Sequence, residues 1–176
     1  MWTTCRSLCC PVAAALCLAL GFGDAPAGAA DRSTAHVADL RTRFALGIAL
    51  DDAARALARP RCLEVLDRFR DAAGEPLRLR LSARGTDAPG FLRELVFYEG
   101  TGKAACRAGS YGPMAVTEVG SRVVWVCPGA FAARGGSDPG LAEAIVIHEM
   151  LHALGLGENP PASLEITAEV RRRCVQ

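Results

Sequence analysis

The sequence predicts an α+β domain in which a small mixed sheet with a hairpin packs on a buried helix. Two β-rich runs, 114–117 and 123–126, flank Val119-Gly120-Ser121, which is typical of a hairpin turn. Residues 139–154 are apolar nearly all round a helix, so this helix should lie inside the domain.

The N-terminal elements follow from the spacing of apolar residues. A helix is predicted over 37–57, ending before Pro60, from the apolar positions Val37, Leu40, Phe44 and Ile48. A second helix is predicted over 62–69, with Gly74 closing it. Residues 77–81 alternate like a strand, although so short a run leaves a helical turn open. Residues 95–98 predict another strand.

The helix over 139–154 has clear boundary signals. Ser137 or Asp138 can cap its N-terminus, and Pro139 suits its first turn. Gly155 can adopt the left-handed conformation that ends many helices. A closing helix is expected over residues 165–173.

The first thirty residues are typical of an export signal. Arg6 gives a positive start, residues 8–22 are mainly apolar, and residues 27–30 are small. We therefore expect a signal peptide over 1–30, cleavage near Asp31, and one domain over 31–176. The composition, rich in Arg, Ala, Gly and Pro, suggests a bacterial protein, and the signal segment predicts that it is secreted or periplasmic. An uncleaved N-terminal anchor is the alternative.

The charge balance excludes some classes of partner. Twenty basic and nineteen acidic side chains give a net charge of +1, with no long run of either sign. A nucleic-acid-binding protein should show a basic face or stripe, so no nucleic-acid partner is expected. We expect a monomer that has no membrane contact after signal cleavage.

The cysteines outside the signal predict two disulfides. Cys62, Cys106, Cys127 and Cys174 make an even number in an oxidising compartment. Three connectivities are open, of which we expect Cys106–Cys127 and Cys62–Cys174. A four-cysteine zinc site is disfavoured because no pair has the short spacing of a zinc knuckle.

The segment His148-Glu149-Met150-Leu151-His152 carries the chemistry. Two histidines four residues apart on a helix point the same way, so both can bind one metal ion. Glu149 lies close enough to contact a water on that metal. Zinc lowers the pKa of such a water towards about 7, and a carboxylate can take its proton as it attacks a carbonyl.

These residues resemble the zincin superfamily of zinc metallopeptidases. The pattern His148-Glu149-x-x-His152-x-x-Gly155-x-x-Glu158 resembles the extended metzincin motif, in which the glycine turns the chain beneath the metal. The resemblance implies zinc as cofactor and Glu158 as third ligand, where the family usually places His or Asp. In the gluzincin branch a downstream helix supplies this ligand, so Glu165 and Glu169 are alternatives.

The resemblance also implies where substrate would bind. Zincins hold an extended substrate along a sheet edge, which residues 113–117 or 123–126 could supply here, although a buried hairpin is equally expected. Tyr98 and Tyr111 are candidate hydroxyl donors to an oxyanion, although each more often serves packing.

Three functions are therefore considered. The first is a secreted zinc metallopeptidase that hydrolyses peptide bonds by Glu149-assisted attack of zinc-bound water on a peptide or protein substrate. The second is a zinc hydrolase of another amide, such as peptidoglycan, since fold does not fix substrate. The third is a non-catalytic binding protein that retains a zincin shell. An intact Glu149 disfavours the third, because a structural metal needs no general base.

Overall fold

A computed structural model of the protein describes residues 33–176. The signal segment 1–30 and the cleavage position near Asp31 lie outside the described residues. The strands are β1 (Thr34–His36), β2 (Val96–Glu99), β3 (Ala115–Thr117) and β4 (Val123–Val126). The helices are α1 (Leu40–Leu57), α2 (Pro60–Arg68), α3 (Leu77–Ala83), α4 (Ala88–Arg93), α5 (Pro128–Ala130), α6 (Pro139–Leu154) and α7 (Ser163–Cys174). A 3-10 segment covers Ala104–Tyr111, and one π-helical turn covers Phe131–Gly135.

The strands form one mixed sheet in the order β1-β2-β4-β3. β1 pairs with β2 and β2 with β4 in parallel, while β3 and β4 form the antiparallel hairpin predicted from the sequence. Gly120 has a φ of +80° in the hairpin turn, where a left-handed residue is needed and glycine adopts it without strain. The small mixed sheet and the surrounding helices confirm the α+β class.

Helix α6 lies inside the domain, as predicted. Its N-terminus is capped by Asp138, whose side chain accepts a hydrogen bond from the Leu141 N–H at 2.9 Å. It ends at Gly155, which has a φ of +117° and lets the chain reverse. Its twelve buried residues are Ala142, Glu143, Ala144, Val146, Ile147, His148, Glu149, Met150, Leu151, His152, Ala153 and Leu154.

Helix α1 begins at Leu40 rather than Val37, and the apolar residues within it that predicted the helix are exposed. Leu40, Phe44 and Ile48 face outward, whereas the opposite face is buried. The buried positions Leu46, Ala49, Ala53, Ala56 and Leu57 include three alanines. Helix α1 carries apolar residues on two faces, and the face with the smaller side chains is the one packed in the domain, chiefly against α6.

Residues 77–81 form a helix, so the alternating strand pattern there was misleading. Leu77 and Leu81 are buried at the i, i+4 spacing of a helix, while Leu79 between them is exposed. In a strand all three leucines would share one face. The structure therefore has the helix that the sequence analysis kept as an alternative to a strand.

Both expected disulfides are present. Cys62 in α2 is bonded to Cys174 at the end of α7, and Cys106 is bonded to Cys127 after β4. The first crosslinks α2 to the C-terminal helix α7 across 112 residues. Within residues 33–176, the helices are all too short or too polar to cross a membrane.

Candidate metal centre

Helix α6 brings the two histidines together in the interior. His148 and His152 are one turn apart and both buried, and their Nε2 atoms are 2.9 Å apart. Two uncoordinated imidazoles in a core leave polar nitrogens to be satisfied, so the partners of the other ring nitrogens matter.

Each histidine has a partner for its Nδ1 atom. His152 Nδ1 lies 2.7 Å from the Leu156 carbonyl, which can only accept, so Nδ1 carries the proton and the neutral ring has a lone pair on Nε2. His148 Nδ1 lies 2.9 Å from the Thr167 hydroxyl on α7. With the proton of His148 on Nδ1, the Nε2 atom of each histidine carries a lone pair, and the two lone pairs face each other. Such outer partners orient histidines that ligate metals.

Glu158 completes a cluster of three donors. Gly155 reverses the chain after α6, and the Glu158 Oε1 atom lies 3.5 Å from His148 Nε2 and 3.3 Å from His152 Nε2. Of the three carboxylates considered from the sequence, only this one reaches the histidines. Glu165 accepts a hydrogen bond from the Ala162 N–H, and Glu169 pairs with Arg172 and Arg173.

The three donors fit a metal ion in both number and spacing. Zinc bound at about 2.0–2.1 Å in a tetrahedral site places neighbouring donors about 3.3 Å apart. The separations among the three donor atoms here run from 2.9 to 3.5 Å. Histidine nitrogen with a carboxylate oxygen is also a donor set that zinc accepts. The group His148, His152 and Glu158 could therefore hold a metal ion.

The protonation state of the cluster suits metal binding. Burial, and then the neighbouring His152, lowers the pKa of His148 to about 4, although Glu158 opposes the shift. His148 is therefore neutral at pH 7, and its contact with Glu158 is not an ion pair. A neutral imidazole is the form that binds metal, so His148 need lose no proton at neutral pH.

Glu149 is the unusual group of the site. It is 4% exposed, and its Oε2 atom has no hydrogen-bond partner among the described residues. Burial raises the pKa of Glu149 to about 8, and the nearby Thr117 hydroxyl lowers it only in part. The Thr117 hydroxyl is itself buried without a hydrogen bond, so the two groups are neighbours rather than a bonded pair. A buried carboxylate that is left unsatisfied costs stability and is rare in a folded domain.

These groups line an open cleft of about 300 Å³ between β3 and α6. His148, Glu149, His152 and Glu158 share it with the residues of β3 and with Val119 of the hairpin turn. The Gly120 N–H donates to the His152 carbonyl at 2.9 Å, which ties the hairpin turn to the end of α6. The hairpin thus forms one wall of the cleft.

Strand β3 is the last strand of the sheet on this side. The Cys127 N–H donates to the Met114 carbonyl opposite it, so these two residues form a hydrogen-bonded pair. Such pairs alternate along an antiparallel ladder. The N–H and C=O groups of Ala115 and Thr117 therefore face away from β4. Of the two edges considered from the sequence, only β3 lies at an edge, because β4 has neighbours on both sides.

The tyrosines considered from the sequence lie outside this cleft. Tyr98 stacks on His36 and packs beside Trp125, while Tyr111 is exposed. The sequence analysis instead missed Thr117 and Thr167, which reach the site from β3 and α7. No local motif marks either residue.

Comparison of the chain with protein-family models, with curated proteins and with solved structures gave no match.

Proposed function

We propose that the protein is a zinc-dependent metallopeptidase of the zincin type that hydrolyses peptide bonds. The observation that carries the proposal is the convergence of three metal donors on one point of a cleft, beside a buried carboxylate that has an oxygen without a hydrogen-bond partner in residues 33–176. The fold adds Glu158 to the motif, since the two histidines need only a helix to meet, whereas the Glu158 carboxylate reaches them through the chain reversal at Gly155.

The first task of the chain is to hold the ion. His148 and His152 would donate their Nε2 lone pairs and Glu158 its Oε1 atom, with the Leu156 carbonyl and the Thr167 hydroxyl orienting the rings. When bound, zinc supplies Lewis acidity, which makes water a better nucleophile and polarises a carbonyl. Three protein donors are the usual number for a catalytic zinc site, which keeps one position open.

The second task is proton transfer, which falls to Glu149. Its carboxylate lies on the cleft and has one oxygen that no described residue hydrogen-bonds, so it can accept the proton of the attacking water and pass it to the leaving amine. The raised pKa of Glu149 makes it a stronger base than an exposed glutamate. A bound cation would favour the ionised form and so ready it for this role.

The third task is to place the substrate. The outward backbone groups of Ala115 and Thr117 offer hydrogen bonds to an extended peptide, which would lie along β3 as an added strand. Such a peptide would pass over the histidines and Glu149, because β3 and α6 line the same cleft.

Glu149 also favours catalysis over a purely binding role. A structural metal needs only its ligands, and an extra buried carboxylate beside them lowers stability without benefit. Export to an oxidising compartment is part of the proposal, and the two disulfides support it.

The test compares two buried glutamates of α6. Wild type is expressed as the full chain, loaded with zinc, and screened against a mixed peptide library and cell-wall fragments. Glu149→Gln should keep one zinc per chain but lose about 10²–10⁴-fold in turnover. Glu143→Gln is the matched control, because Glu143 is also buried in α6 but does not line the cleft.

Three results would contradict the proposal. Cleavage by Glu149→Gln at the wild-type rate would show that Glu149 is not the general base. Failure of zinc-loaded wild type to cleave any member of either set would favour a binding protein, and cleavage of wall fragments alone would favour a peptidoglycan hydrolase.

A further inference from the structure

Helix α1 presents an apolar face to the outside of the domain. Leu40, Phe44 and Ile48 follow one another at i, i+4 and i+8, so they lie along one side of the helix. Their exposed fractions are 67%, 73% and 41%. Scattered exposed hydrophobic residues are ordinary, but three large ones in line on one helix form a patch typical of an interaction site.

A glycine lies within this patch. Gly47 lies in the middle of α1, although glycine is a poor helix former. A Cβ atom added at this position would meet no other atom within 4 Å. Gly47 occupies the exposed side of the helix between Phe44 and Ile48. A position without a side chain on an exposed helix face allows another backbone to approach closely.

The nearest charges on the two sides of Gly47 in α1 have opposite signs. Arg41 and Arg43 precede Gly47, and Asp51 and Asp52 follow it, while Arg55 in the last turn pairs with Asp52. Arg41, Arg43 and Asp51 make no ion pair within residues 33–176. A second α1 running in the opposite direction would present aspartates to these arginines and arginines to these aspartates.

We propose that α1 is the interface of a homodimer, in which two copies pack antiparallel about a two-fold axis at Gly47. Arg43 and Asp51 are each four residues from Gly47, so this axis sets Arg43 of each copy opposite Asp51 of the other. A two-fold interface must be complementary to itself, and this charge pattern has that property. This proposal departs from the monomer expected from the sequence.

A hollow beside the patch gives the second copy a place to insert. A cavity of about 110 Å³ lies between α1 and the start of α6, bounded by Phe44, Ile48, Gly135, Pro139 and Ala142. Its lining is almost entirely apolar, which suits a Leu or Phe side chain from the facing helix. No residue of α1 lines the metal cleft, so pairing through α1 leaves that cleft open.

The size of the face sets the expected strength. An 18-residue helix is about 27 Å long, and one face of it buries less than the roughly 800 Å² per partner of a standard interface. We therefore expect a dimer that dissociates on dilution through the micromolar range.

Sedimentation velocity on the protein produced from the full chain tests the dimer, at about 1 to 300 µM. Phe44→Ser should weaken association about 30-fold or more, as for a central aromatic residue of an interface. Leu79→Ser is the matched control, because Leu79 is 54% exposed on α3, away from the patch. Circular dichroism checks that both variants fold. A monomer at every concentration, or equal association of wild type and Phe44→Ser, would overturn the proposal.

Charge exchange tests the antiparallel arrangement. Arg43→Asp and Asp51→Arg should each weaken self-association, because each places like charges opposite one another. An equimolar mixture of the two variants should associate again, since each new charge then meets its opposite across the axis. If the mixture stays as weak as the separate variants, the antiparallel interface at Gly47 is wrong.

Discussion

Glu149→Gln should stabilise the metal-free protein even though it removes the proposed base. The carboxyl is 4% exposed, and its pKa is raised from 4.5 to about 8 by burial. Folding therefore disfavours the ionised form, and the amide of the variant avoids this cost. A residue that lowers stability where it is needed for activity is a common trade-off in enzymes.

The magnitude follows from linkage. A carboxyl whose pKa is higher in the folded state contributes its full stability below the unfolded pKa of 4.5, and this is lost as the pH rises to 8. The pKa of Glu149 rises from 4.5 in the unfolded chain to about 8 in the folded protein. At about 1.36 kcal/mol per pKa unit, this shift corresponds to about 5 kcal/mol of unfolding free energy. About 3 kcal/mol of this is already lost at pH 7. The depressed pKa of His148 acts in the opposite direction, with stability lost as the pH falls from 6.5 to about 4. It is common to both proteins and cancels in their difference.

Urea unfolding of chelator-treated protein, with the disulfides intact, measures the effect. The free energy of unfolding of Glu149→Gln minus that of wild type should rise between pH 4.5 and 8 and then stay level. Glu118→Gln, at an exposed position in the hairpin turn, controls for the substitution itself. Parallel pH profiles of wild type and Glu149→Gln from pH 4.5 to 9 would refute the reasoning.

Three further predictions concern the ligands and the framework. Glu158→Ala should weaken zinc binding in a chelator competition far more than Glu165→Ala, because only Glu158 reaches the histidines; equal affinities of the two variants would contradict this. Thr167→Val should lower zinc affinity about 10–100-fold through the orientation of a histidine, and Thr167→Ser should restore it. Replacing both Cys62 and Cys174 with Ser should cost about 5 kcal/mol in unfolding free energy, from the entropy of a 112-residue loop, and an unchanged urea midpoint would argue against that crosslink.

Local signals explain why α6 and its motif could be predicted from the sequence. The capping residue Asp138, the turn residue Gly155 and the continuous apolar run between them act within a few residues of each other. The i, i+4 spacing of His148 and His152 likewise needs only a helix to bring the rings together.

Tertiary packing decided what the local patterns left open. Helix α1 has two apolar faces, and the choice between them depends on how closely α6 can approach the alanine side. Thr117 and Thr167 reach the site only because the sheet and α7 fold against α6. Such contacts depend on tertiary structure, and nothing near these residues in the chain marks them.

The most direct test of the central claim is an anomalous difference map at the zinc absorption edge, from crystals grown with zinc. The account predicts one peak per chain, about 2.0–2.2 Å from the Nε2 atoms of His148 and His152 and from Oε1 of Glu158. Glu149 should lie near the peak without ligating it. No peak at this position in zinc-saturated protein, or a zinc held by other residues, would contradict the account.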